Sequence, residues 1–161
     1  MPSSSKPRSL RQPSSRALSK ALLLPMSRSE AANLALRTRI ALERLRNGEA
    51  SRSLVNHMCQ IVLITSYITR AGFGRLDLHD IDRVEHNLGE VLFEADRTGE
   101  WNLPDSLISE LTTVVNEYDR QLATTRVEIV ARASEHLERR LLLTASQRPA
   151  AADDVRDRAH A

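Results

Sequence analysis

Aromatic residues are scarce in this chain, which has two Phe, two Tyr and one Trp among 161 residues. A core must therefore be built from Leu, Ile, Val and Ala, which favours helices packed on helices. Glycine and proline are also few, at five and six, and most of the prolines precede residue 26. An all-β domain needs turn residues at short intervals. We therefore predict an all-α fold.

A single cysteine, Cys59, excludes an internal disulfide and favours a reducing compartment. No stretch approaches the roughly 18 uncharged apolar residues of a membrane span. The apolar run at residues 21–24 is shorter than the about 7–15 residues that a signal peptide requires. We therefore expect a cytoplasmic protein that does not partner with a membrane.

Acidic residues are absent from the first 29 positions, so the charge of the chain is unevenly placed. Residues 30–144 contain fourteen Arg against eighteen Asp and Glu, and residues 145–161 balance three Arg with three Asp. The net charge of +2 therefore combines a basic N-terminus with an acidic central part. The basic residues of the N-terminus are Lys6, Arg8, Arg11, Arg16, Lys20 and Arg28.

The two ends differ from the centre in composition. Residues 1–26 are rich in Ser, Pro and Arg and cannot bury enough apolar surface to offset their ordering entropy, so we predict a disordered tail. A transit peptide and a true start at Met26 are the alternatives for this segment. Residues 145–161 lack periodicity and are predicted to be disordered as well. The domain between them, residues 27–144, is predicted to be one bundle of about five helices.

Capping and stop signals divide this domain into helices. Ser27 and Glu30 form a capping box at the start of the first helix, which the pair at residues 47–48 ends. A second Ser/Thr-x-x-Glu box at Thr125 and Glu128 predicts the start of the fifth helix. The intervening predictions are a second helix from Ser51 or Ser53 to before Gly72, a third that Asp77 or Asp80 caps and Gly99 ends, and a fourth with Pro104 in its first turn.

Apolar residues at helical spacing predict the buried faces. Trp101 and Leu103 are expected to cover one end of the core. The predicted stripes are Leu34, Ala41, Leu42 and Leu45; Ile81, Val84, Leu88, Val91, Leu92 and Ala95; Leu107, Leu111, Val114, Tyr118 and Leu122; and Val130, Ala133, Leu137 and Leu141.

Residues with catalytic or metal-binding chemistry do not form a recognisable motif. Asp82 and His86 stand one turn apart and could chelate a metal, but the same spacing is common on a solvated helix face. Cys59 lies among apolar residues, where a thiol acts as a small hydrophobe, and His57 points away from it on a helix. The sequence contains no phosphate-binding glycine loop and no nucleotide fingerprint. We therefore predict a protein that is not an enzyme and has neither a cofactor nor a metal.

Nucleic acid is the alternative class of partner. The turn at Gly72 suggests a helix-turn-helix, yet the third helix is strongly acidic and phosphates would repel it. The fifth helix carries Arg126, Arg132, Arg139 and Arg140, which three Glu nearly neutralise. The basic N-terminal residues are the better candidate contacts, and a merely solubilising tail is the alternative reading. These candidate contacts are Lys6, Arg8, Arg11, Arg16, Lys20 and Arg28.

Several short strings resemble a group of small, all-helical bacterial proteins, some labelled Fis-type transcriptional regulators after the factor for inversion stimulation. The resemblance implies a small bacterial protein with a regulatory role. A Fis-type DNA-binding end has a glycine turn before a basic C-terminal helix, and no glycine follows Trp101 here, so no DNA-contacting residue is transferred. The strings are Leu34-Ala35-Leu36 to Leu45 with Gly48, Ile68-Thr69-Arg70-Ala71-Gly72-Phe73-Gly74, Thr98-Gly99-Glu100-Trp101-Asn102-Leu103, and Tyr118-Asp119-Arg120-Gln121-Leu122.

The sequence therefore leads to two functional hypotheses. The first is a non-enzymatic bacterial regulatory or interaction module, whose bundle binds a protein partner or a second copy of itself. The second is a DNA-binding transcriptional regulator that uses the basic tail and the last helix.

Overall fold

The computed structural model describes residues 20–146, with side chains described through residue 142. Within this part, five long α-helices follow one another and the only β pairing is an isolated bridge between Pro25 and Arg126. The predicted all-α bundle is confirmed. The helices are α1 (Arg28–Arg46), α2 (Arg52–Ile68), α3 (Leu78–Thr98), α4 (Asp105–Thr124) and α5 (Val127–Ser146), with a π-helical turn, Thr69–Phe73, after α2.

The start of α1 and both ends of α3 follow local chemistry. The Ser27 hydroxyl accepts from the Glu30 amide while the Glu30 carboxylate accepts from the Ser27 amide, which is the predicted capping box. Asp77 caps α3, and Gly99 ends it in the left-handed conformation with φ of 78°.

Polar pairs between neighbouring helices give their relative directions. Along α1 the partners on α4 move backwards in sequence, so these two helices are antiparallel. The same holds for α2 and α3, and the short connections between successive helices agree with it. The pairs are Arg39 with Asp119 and Arg46 with Thr112 for α1 and α4, and Arg70 with Asp82 and Arg52 with Asp96 for α2 and α3.

The apolar core is divided into two clusters along the bundle. The larger cluster joins α1, α2, α3 and α4, and Trp101 and Leu103 pack against it as predicted. The smaller cluster joins the start of α1 and the ends of α2 and α4 to Val130 and Ala133 of α5. α5 therefore covers the end of the bundle at which α1 begins.

Two expectations for α5 are wrong. The Thr125 hydroxyl is buried without a hydrogen-bond partner, and Glu128 pairs with Arg132, so the second capping box does not form. Instead the Val127 amide donates to the Leu24 carbonyl at 2.9 Å, and this main-chain contact sets where the helix begins. Leu141 is 47% exposed, because the buried face of α5 extends from Val130 only as far as Leu137.

A buried carboxylate ties the connection between α2 and α3 to α4. Glu117 is 6% exposed and accepts from the Arg75 amide at 2.8 Å and from the Arg120 guanidinium at 2.6 Å. Arg120 also donates to the Phe73 carbonyl at 2.6 Å, and Gln121 donates to the Thr69 hydroxyl at 2.9 Å. These three α4 residues hold both ends of the π-helical turn, and we call them the α4 clamp.

Glycine substitutions in and after α3 test the helix end. Gly99→Ala should lower the free energy of unfolding by about 1 kcal/mol, because a Cβ disfavours a φ of 78°. Gly89→Ala is the matched control within the same helix, where a Cβ meets no atom within 4 Å. It should raise the free energy of unfolding by about 0.5–1 kcal/mol. Urea unfolding of both variants is the measurement. Changes of the same sign and size in the free energy of unfolding would contradict the role of Gly99 as the left-handed end of α3.

Replacing the buried carboxylate tests the α4 clamp. Hydrogen bonding from Arg120 lowers the pKa of Glu117, so its stabilisation is complete above the unfolded-state pKa and is lost as pH falls through the lower folded-state value. Glu117→Gln should cost about 2–3 kcal/mol at pH 7, and the difference from the wild type should shrink below about pH 4. Glu138→Gln, at an exposed position on α5, is the control and should change stability little. A pH-independent difference for Glu117→Gln would contradict the role of its charge.

Candidate functional site

Of the two candidate metal ligands on α3, Asp82 is occupied by a protein contact. Both Asp82 oxygens accept from Arg70 Nη2, at 2.8 and 3.1 Å. Across residues 20–142, no three His, Cys, Asp or Glu side chains are grouped closely enough to hold a metal ion. The geometry around Asp82 therefore favours a helix-to-helix ion pair.

Cys59 and His57 have shifted titrations that do not suit nucleophilic chemistry. Burial, together with the charge of Glu85, raises the pKa of the Cys59 thiol to about 11. Burial lowers the pKa of His57, whose Nε2 is buried without a hydrogen-bond partner. At neutral pH the sulfur is a protonated thiol, and a thiolate would be needed for attack.

The third helix does not offer cations to a phosphate backbone. Arg83 pairs with Asp80 at 2.9 Å and with Glu110 at 3.1 Å, and Arg97 pairs with Glu94 at 2.5 Å. These are the two Arg of α3, and both are already compensated within the bundle.

The sequence-predicted nucleic-acid contacts divide between described and undescribed residues. Lys6, Arg8, Arg11 and Arg16 lie outside the described part of the chain. Lys20 and Arg28 are described and exposed, and Arg28 opens α1. Residues 20–26, which the sequence analysis assigns to the tail, contact the start of α5 through Leu24 and Pro25.

Most cations of the bundle have a carboxylate within 4 Å. In residues 20–142 the exceptions are Lys20, Arg28, Arg37, Arg75, Arg126 and Arg139, of which Arg139 donates to the Glu135 carbonyl. The paired cations are Arg39, Arg44, Arg46, Arg52, Arg70, Arg83, Arg97, Arg120, Arg132 and Arg140.

Four of the unpaired cations belong to one end of the bundle, where α1 and α3 begin and α2 and α4 end. Arg28 opens α1, Arg75 precedes α3, and Arg126 joins α4 to α5. Lys20 belongs to the segment that contacts Arg126 through Pro25. Arg37 lies midway along α1 and lines the same groove as Val127. We call these five residues the basic end.

An apolar groove opens at the basic end. It has a volume of about 610 Å³ and is lined mainly by Leu22, Leu24, Pro25, Met26 and Val127. A neighbouring groove of about 350 Å³ shares Met26 and Val127 and continues to Arg37. We call the two together the leucine groove.

The apolar wall of this groove faces solvent. Leu22 and Leu24, which line it, are 43% and 55% exposed, and Leu23 between them in sequence is 52% exposed. Glu30 is the one acidic residue among those that line the groove, and its carboxylate is engaged in the cap of α1. The groove therefore combines exposed leucines with Arg37, and Arg28 and Arg126 are next in sequence to its lining residues Ser27 and Val127.

Arg37, Arg75 and Arg126 were not predicted as members of this surface. A signal for Arg37 was available, because the positions three and four residues from it are Asn33, Leu34, Ile40 and Ala41, and none is acidic. Arg75 and Arg126 lie in connections, and only the packing of the helices brings them to the same end.

Comparison with known proteins does not assign a function to this surface. No protein-family model, curated protein or solved structure matches the chain significantly. The resemblance to bacterial helical proteins therefore stays a prediction.

Substituting the unpaired cations tests whether they serve the fold. Arg28→Gln, Arg37→Gln and Arg126→Gln combined should leave the free energy of unfolding unchanged or raise it by a few tenths of a kcal/mol, because no ion pair is lost and like charges are removed. Arg120→Gln is the contrast, and should cost about 2–3 kcal/mol because Glu117 stays buried without its partner. Urea unfolding at pH 7 compares the two. A large loss of stability in the triple variant would show that these cations stabilise the fold.

Proposed function

We propose that this chain is a non-enzymatic regulatory or interaction module that binds an acidic protein surface through the leucine groove and the basic end. The observation that supports it best is the gathering of unpaired cations around exposed leucines. A cytoplasmic location and a bacterial regulatory role belong to the same proposal, on the evidence of the single cysteine and the resemblance.

The chemistry of the groove describes the partner. Unpaired guanidinium groups attract carboxylates and form charge-assisted hydrogen bonds with them. Leu22, Leu23 and Leu24 are about half exposed, so covering them contributes about 1 kcal/mol each. A matching partner has an apolar side chain with carboxylates around it. The binding is modest in affinity and weakens with salt, because its charged groups are exposed.

The second candidate is binding to DNA, which the continuity of the basic surface favours. The tail that contains Lys6, Arg8, Arg11 and Arg16 joins the bundle at Lys20, beside the unpaired cations. Such a surface contacts phosphates without reading bases. The exposed leucines weigh against this candidate, because a phosphate backbone gives them nothing apolar to pack against.

Crosslinking tests the protein-interaction proposal. A photoreactive amino acid at Leu24 should form an adduct with a partner protein in bacterial cells that express the chain. The adduct should disappear when Arg37→Glu and Arg126→Glu are added. Leu141, which is 47% exposed against 55% for Leu24, is the control position, because it lies fourteen residues along α5 from Val127. Equal adducts at both positions, or none at Leu24, would contradict the proposal.

Duplex DNA separates the two candidates. The full chain should bind a random duplex weakly at 50 mM salt and lose about a hundredfold or more in affinity at 200 mM. Replacing Lys6, Arg8, Arg11 and Arg16 with Gln should remove most of this binding. Fluorescence anisotropy with two unrelated duplexes is the measurement. Tight, sequence-selective binding by the neutralised variant would favour the DNA-binding candidate instead.

A further inference from the structure

The end of the bundle opposite the leucine groove has the complementary charge. Glu90, Glu100 and Asp105 have no cationic partner within 4 Å among residues 20–142. Glu90 and Glu100, with Glu94, line an open groove of about 510 Å³ where α3 ends and α4 begins. We call this surface, with Asp105, the acidic corner.

An exposed aromatic ring lies beside these carboxylates. Phe93 is 69% exposed, the highest value among the large hydrophobic residues of the described chain. It follows Glu90 by three residues on α3, so the two side chains are neighbours on the helix surface. The edge of the acidic corner thus presents an exposed apolar side chain next to the Glu90 carboxylate, and this is the kind of partner chemistry that the leucine groove calls for.

The leucine groove and the acidic corner of one molecule are too far apart to contact each other. α3 begins at the basic end and finishes at the acidic corner, and its 21 residues span about 30 Å. Each copy therefore offers a groove at one end and its complement at the other. We propose that the leucine groove of one copy receives Phe93 and the acidic corner of a second copy. This inference rests on the proposed function, since it names the partner of the same groove.

The two surfaces differ, so the contact is head-to-tail. A head-to-tail contact does not close on itself by a two-fold axis, and copies add to either end as concentration rises. The pairing of opposite charges makes the assembly sensitive to salt. Duplex DNA or an anionic lipid would satisfy the cations of the groove, but neither uses the exposed Phe93 or the carboxylates around it.

Sedimentation velocity of the full chain tests this assembly. The average mass of the wild type should increase between 5 and 200 µM at 50 mM salt and fall back to one chain at 500 mM salt. Arg37→Glu with Arg126→Glu removes the groove, and Glu90→Lys with Glu100→Lys removes the acidic corner. Each double variant alone should stay monomeric. None of the four residues makes an ion pair in the bundle, so circular dichroism should show wild-type helix content.

Mixing the two double variants gives the sharpest outcome. The charge-reversed surfaces would attract each other, so the mixture uses the neutral versions, Arg37→Gln with Arg126→Gln and Glu90→Gln with Glu100→Gln. One keeps its acidic corner and the other keeps its groove, so this mixture should form a 1:1 dimer and stop there. Phe93→Ala should weaken wild-type assembly by about tenfold. The matched control, Glu135→Lys with Glu138→Lys on α5, reverses two acidic residues elsewhere and should leave assembly intact.

Several results would overturn the inference. They are a wild type that stays monomeric at 200 µM in low salt, an acidic-corner variant that assembles like the wild type, and assembly that disappears when Lys6, Arg8, Arg11 and Arg16 become Gln. A monomer that binds phosphatidylglycerol vesicles or duplex DNA through Arg37 and Arg126 would also overturn it. If the wild type is monomeric while Leu24 still crosslinks to a different protein, the proposed function stands and self-assembly fails.

Discussion

The Glu117 carboxylate, which is buried beneath the Arg120 guanidinium, stabilises the end of the bundle at which α2 and α4 end and α3 begins. It accepts from the Arg75 main chain, while Arg120 reaches across to the Phe73 carbonyl. Through these contacts α4 holds the connection between α2 and α3 in place. Without the α4 clamp, neither the π-helical turn nor the position of Arg75 would be defined.

Charge is used in two different ways on this scaffold. Over most of the surface each Arg is matched by a carboxylate, either one turn away, as for Arg97 and Glu94, or across a helix pair, as for Arg39 and Asp119. Exposed pairs of this kind contribute little to stability each, but they leave no local excess of charge. At the basic end that matching stops, and the excess coincides with exposed leucines. The acidic corner reverses the sign about 30 Å away along α3.

Features that depend on neighbours in sequence were predictable. The cap at Ser27, the stop at Gly99 and the buried stripe of α4 follow from spacing and turn chemistry alone. The start of α5 was not predictable in this way, because a main-chain contact between Leu24 and Val127 replaces the cap that Thr125 and Glu128 suggest.

The basic end could not be predicted from the sequence. Arg28, Arg75 and Arg126 are separated by some fifty residues each, and only the antiparallel packing brings them together. The sequence placed the positive charge in the tail, whereas the fold extends it onto the bundle. Two strings that carry the bacterial resemblance, around Gly72 and around Arg120, contact each other through the α4 clamp.

If the leucine groove and the basic end of one copy meet the acidic corner of another, a label beside Phe93 must come close to the groove of the next copy. A nitroxide spin label attached at Gly89→Cys, in a Cys59→Ser background, places a paramagnetic centre one turn from Phe93. The spin-labelled copies contain no ¹⁵N. Mixed with ¹⁵N-labelled wild type, it should broaden the amide resonances of Leu22, Leu24 and Val127 and leave that of His136 sharp. Broadening that is absent, or that spreads evenly over the bundle, would contradict the account.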